Sequence, residues 1–111
     1  MRKRDYPGQF ELMVLLAILQ AGDDAYGVPI AREIEDTTGK EVALGSIYAA
    51  LDRLEAKGLV TSEMGDPTPE RGGRAKRYFR VTGKGLREAR EAQRTLKKLW
   101  NGVPQLEGKK A

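Results

Sequence analysis

The 111-residue chain contains no cysteine and no histidine. Without cysteine there can be no disulfide and no thiolate metal site, and a reducing cytoplasm is the expected setting. Without histidine the commonest general base, zinc ligand and pH switch are missing. No Walker loop and no GxGxxG pattern occurs. An enzyme built from what is left would need a serine-lysine pair or paired carboxylates, and no spacing suggests either. No metal, cofactor or catalytic residue is therefore expected. The longest apolar run, Leu12 to Leu19, is eight residues and too short to cross a bilayer. The basic start Met1–Arg4 runs into Asp5, Pro7 and Glu11, not into the apolar centre of a secretory leader.

What the chain does have is unevenly placed charge. The formal net charge is +4, yet residues 5–58 carry four bases and ten acids. The positive charge belongs to residues 1–4, to the stretch PERGGRAKRYFR at 69–80, and to residues 82–100, which carry six bases and two acids. Focused positive charge on a domain of pI near 9.5 favours a polyanionic partner.

The length suits one domain. Residues 1–8 read as a basic arm ending at Pro7-Gly8. Phe10 to Gly22 reads as a helix, apolar nearly all round and so covered on several sides. A second helix begins near Tyr26, because Pro29 is tolerated only in a first turn, and ends at Gly39. Val42 and Leu44 could form a brief strand. Residues 45–58 make a third helix, with Ile47, Leu51 and Leu54 as its buried stripe. Its other face shows Ser46, Ala49, Ala50, Arg53 and Lys57. Two strands follow, 59–65 and 75–81, joined by the long loop DPTPERGGR. Thr82 is placed to cap a last helix. In that helix Leu86, Ala89, Gln93, Leu96, Trp100 and Val103 follow heptad spacing. Residues 104–111 are expected to be disordered.

Helix, helix, helix, hairpin, helix is the order of a winged helix-turn-helix with one added C-terminal helix. The fold class is thus mainly α with a small β-hairpin. The divisions are arm 1–8, winged domain 9–82, dimerisation helix 83–103 and tail 104–111.

A helix that enters a major groove must keep its first turns small or polar. Ser46 and Ala49 meet that need, Tyr48 has a hydroxyl to give a phosphate, and Arg53 sits a turn further along for the backbone. A wing needs close backbone approach, which Gly72-Gly73 allows, with Arg71 and Arg74 beside them and Lys76 on the strand. Arg2, Lys3 and Arg4 could reach an adjacent groove. Phe79 and Val81 should anchor the wing to the core. The heptad stripe of the last helix and the all-round apolar first helix suggest two copies packed together through Leu12, Leu16, Leu86, Ala89, Gln93, Leu96 and Trp100. Gln93 would mark register. Trp100 fits ordinary core, or a flat aromatic slot at a two-fold axis.

These same residues carry a family resemblance. LGSIYAALDRLEAKGLV at 44–60 and GGRAKRYFRVT at 72–82, preceded by ELMVLLAIL and AYGVPIAREI, resemble a short PadR-family transcriptional regulator. The resemblance spans about residues 8–88. It implies a winged helix, a C-terminal dimerisation helix, and a cytoplasmic homodimer that binds double-stranded DNA at a palindromic operator, usually as a repressor. In some relatives an aromatic small molecule releases the DNA, and Trp100 is at the comparable place to line such a site. The sequence departs from the family at Ala43, which cannot cap the third helix. It departs again at Thr82-Gly83-Lys84, where a lysine opposes the helix dipole. The rival reading is a winged-helix protein-interaction module without DNA, its acidic first half serving as the surface.

Overall fold

The structure is a computed structural model, and it describes residues 7–65 and 75–106. The order is α1 (Gln9–Ala21), a short 3-10 turn (Gly22–Asp24), α2 (Gly27–Thr38), α3 (Leu44–Ala56), β1 (Val60–Met64), β2 (Arg77–Val81), α4 (Gly83–Asn101) and a second 3-10 turn (Pro104–Leu106). The architecture is the mainly helical winged helix-turn-helix with one hairpin that the sequence order implies.

The first three helices stop where glycine lets the chain reverse. Gly22, Gly39 and Gly58 follow their ends, each at positive φ. Pro29 lies in the first turn of α2, as its missing N–H requires. Tyr26 is the N-cap of that helix, not its first residue. The brief strand expected at Val42 and Leu44 is absent. Leu44 opens α3, and the Val42 N–H donates to the Glu35 carboxylate at 2.8 Å. A side chain, not a neighbouring strand, therefore satisfies that amide.

The core lies between α1, α2, α3 and the hairpin. Val14, Leu15, Ile18, Ile30, Ile34, Ile47, Leu51, Leu54, Leu59, Val60 and Phe79 are all buried in it. Ala50, expected on the outer face of α3, is buried as well. β1 and β2 pair antiparallel, Val60 opposite Val81 and Met64 opposite Arg77. Phe79 is buried, Val81 packs partly against the core, and the Phe79 N–H donates to the Ala25 carbonyl at 2.8 Å. The hairpin is thereby tied to the turn before α2.

α4 is anchored over its first half, where Gly85 is buried and Ala89 packs against the core. The Thr82 hydroxyl accepts from the Gly85 N–H at 3.0 Å, as expected for its cap, and donates to the Gly58 carbonyl at 2.8 Å. Lys84, which should oppose the dipole of α4, instead sends Nζ to the Lys57 carbonyl at 3.0 Å. It thus supplies positive charge to the negative end of α3. From Gln93 onward every residue of α4 is exposed except for its backbone bonding. This free-standing length gives the described residues principal extents of 60 × 36 × 21 Å. Residues 104–106, expected to be disordered, form a turn that Trp100 holds by donating Nε1–H to the Leu106 carbonyl at 3.0 Å.

Candidate nucleic-acid interface

α3 buries Ile47, Ala50, Leu51 and Leu54 on one side, and this dictates what the other side shows. Ser46, Ala49, Arg53 and Lys57 recur at intervals of three and four, so they form one stripe. Ser46 and Ala49 are exposed and leave the first turns of the stripe low and uncharged. Ala43 is the N-cap and makes no side-chain bond, as its methyl group dictates.

Tyr48 is 39% exposed, with its ring laid against the start of α2. Its hydroxyl sits where a Cβ on Gly27 would be. The residue at 27 therefore has to be glycine for Tyr48 to lie in this place. Two further tyrosines flank the same helix start. Tyr26 and Tyr78 meet edge to face with centroids 5.5 Å apart, and Lys76 Nζ stands 3.6 Å from the Tyr26 ring centre. Lys76 is held by that ring instead of standing clear of the strand. Arg71, Gly72, Gly73 and Arg74 lie outside the described residues, as do Arg2, Lys3 and Arg4.

Arg53, expected to be available to a phosphate, already has a partner within the chain. Its Nε donates to Glu11 Oε2 at 2.8 Å, and Lys57 Nζ meets Glu11 Oε1 at 2.6 Å. Glu11 is buried at the start of α1, and the Gly8 N–H points at Oε1 from 3.4 Å. Burial disfavours its charge, but the hydrogen bonds from Lys57, Arg53 and Gly8 outweigh that cost. Its pKa lies below its ordinary value. Sequence reasoning missed this triad. The one signal was an acid at position 11 inside an otherwise apolar helix. Arg77 was also missed as a strut. It reaches from β2 to Glu55 and Asp52 on α3 and to Ser62 Oγ, fixing the hairpin against the helix.

The seven residues assigned to contact between copies come together in space. Leu12, Leu16, Leu86, Ala89, Gln93, Leu96 and Trp100 line one open, mostly apolar trough of about 590 Å³ between α1 and α4. Trp100 is 53% exposed and is not core of its own chain. The heptad pattern states that this face is apolar, but nothing within the described chain covers it.

A helix-turn-helix whose third helix offers a slim outer stripe, backed by a hairpin braced against it, defines a DNA-binding class of regulator. Comparison with known proteins carries the assignment further. The model of the transcriptional regulator PadR-like family matches residues 15–91, and the chain belongs to that family. Its members are transcriptional regulators and not enzymes. A crystal structure of a PadR family transcriptional regulator from Eggerthella lenta is similar at 27% identity and TM-score 0.70, covering 92% of this chain and 86% of the other. A PadR-like transcriptional regulator from Bacillus cereus shares the fold at 23% identity and TM-score 0.71, covering 91% of this chain and 93% of the other. An uncharacterized protein from Lysinibacillus sphaericus is 32% identical over 80 residues, 70% of this chain and 69% of its own. No helix among the described residues is long and apolar enough to cross a membrane.

Proposed function

We propose that the protein is a homodimeric, sequence-specific repressor that binds a palindromic site on double-stranded DNA in the cytoplasm. The observation that carries this reading is the outer stripe of α3, low at Ser46 and Ala49 and cationic at Arg53 and Lys57. Such a stripe allows the backbone to approach base edges while the cations meet phosphates. Ser46, Tyr48 and Ala49 would face the major groove and Arg53 the backbone. Arg71, Gly72, Gly73, Arg74 and Lys76 would form the wing contact on flanking DNA. The uncovered α1–α4 trough supports two copies packed through these helices, which would set two α3 helices on one duplex. An aromatic effector resting on Trp100 would act at that same contact and so release the DNA.

The test is the salt dependence of duplex binding. Replacing Arg71 and Arg74 together by alanine should weaken binding to every sequence and reduce the slope of log K against log salt by roughly one per lost phosphate contact. Changing Ser46 should alter sequence preference more than the slope. Wild-type protein that shows no salt-sensitive binding to genomic DNA would favour the protein-interaction reading instead.

A further inference from the structure

α3 presents two cations on the stripe assigned to DNA, and an anion from another helix sits between them. Glu11 gives one carboxylate oxygen to each, Oε2 to Arg53 and Oε1 to Lys57. The burial is graded. The Glu11 side chain is 10% exposed, that of Lys57 28% and that of Arg53 52%. The anion therefore lies on the inner side and the cations spread outward from it. Ser46 and Ala49 are uncharged, so the charge of the whole stripe is set by these three groups.

We infer that Glu11 is a specificity-determining residue, an internal counter-anion that competes with DNA phosphate for Arg53 and Lys57. The inference rests on the reading of α3 as the DNA-facing helix. With Glu11 charged, the three groups sum to one positive charge where α3 alone offers two. Binding that ignores sequence depends on how many cations are left to meet phosphates. Base reading by Ser46 and Ala49 does not. Glu11 consequently holds down affinity for random DNA more than affinity for a matched site. It also fixes the direction of the Arg53 guanidinium through Nε, so that the cation meets the backbone in one register.

The Glu11→Gln variant keeps an acceptor at the same place and removes the charge. On a duplex of random sequence its salt slope should steepen by about one, and its affinity near 0.1 M salt should rise about five- to tenfold. A matched duplex selected from bound genomic fragments should gain less, so the specificity ratio should fall. In an Arg53→Gln and Lys57→Gln background, Glu11→Gln should change neither slope nor ratio. A purely structural role predicts the opposite pattern: weaker binding to both duplexes and an unchanged slope. That pattern would overturn the inference. If Glu11→Gln does not fold, Glu11→Asp retains the charge but draws it back from both partners. Its slope on random DNA should lie above that of the wild type, and an unchanged slope would equally overturn the inference. Wild-type protein with no salt-dependent binding to either duplex would instead remove the DNA reading itself, and the inference with it.

Discussion

Replacing Gly85 by alanine should detach α4 from the body of the protein. In an exposed helix this change is stabilising by about 0.5–1 kcal/mol, because alanine restricts the unfolded chain. Gly85 is not exposed. A Cβ there would overlap the Leu59 carbonyl oxygen, meet Val81 Cγ1 at 2.8 Å and the Leu59 carbonyl carbon at 3.1 Å. Two of those three atoms are backbone and cannot rotate away. The Leu59 carbonyl is further held by the Thr82 N–H at 3.0 Å. The helix must lift instead, and overpacking of this kind costs roughly 1–3 kcal/mol. The midpoints of the two ranges, about 2 and about 0.75 kcal/mol, leave a net loss of about 1 kcal/mol, or roughly 4–8 °C in Tm for a chain of this size. Gly83→Ala is the control. Its nearest neighbour would be Arg87 Nη1 at 3.6 Å, an ordinary contact, so Tm should hold or rise slightly. Thermal melts followed by circular dichroism at matched protein concentration would read both, since self-association makes Tm depend on concentration. A Gly85→Ala protein that melts at or above the wild type would refute the close-approach argument.

Glu11 also makes stability depend on acid. Its folded pKa is depressed, so its contribution is complete above the unfolded value of about 4.3 and is lost as pH falls through the folded value. The stability gap between wild type and Glu11→Gln in urea titrations should therefore be full at about pH 6 and shrink progressively as pH falls below the unfolded value of about 4.3. A gap that stays constant over that range would mean that the carboxylate charge contributes nothing. Leu96→Glu places a charge in the α1–α4 trough, where Leu96 is 56% exposed in the single chain. Sedimentation should show monomers with much weaker operator binding, and a wild type that already sediments as a monomer would end the dimer reading.

The elements were legible because each rests on short-range rules. Ile47, Leu51 and Leu54 mark α3 by spacing alone, and Thr82 caps α4 with a bond that spans three residues. Gly22, Gly39 and Gly58 stop helices for a reason local to their own φ. Val42 misled, since a β-branched residue in a short connection reads as strand. Its amide was satisfied by Glu35, seven residues back, and no pattern announces that. Trp100 fitted core by composition, but α4 runs past the body of the domain before reaching it.

By itself the sequence determined the order of elements, the buried stripe of α3 and the concentration of cations beside a glycine pair. Those follow from periodicity and local backbone preference, which act over a few residues. Only the tertiary structure decided that Glu11 stands between Arg53 and Lys57, that Lys84 serves α3 and not its own helix, and that Gly85 must lack a side chain. Each of these joins residues far apart in the chain. The charge or space available at such a place depends on which segments fold against each other, and no local pattern carries that.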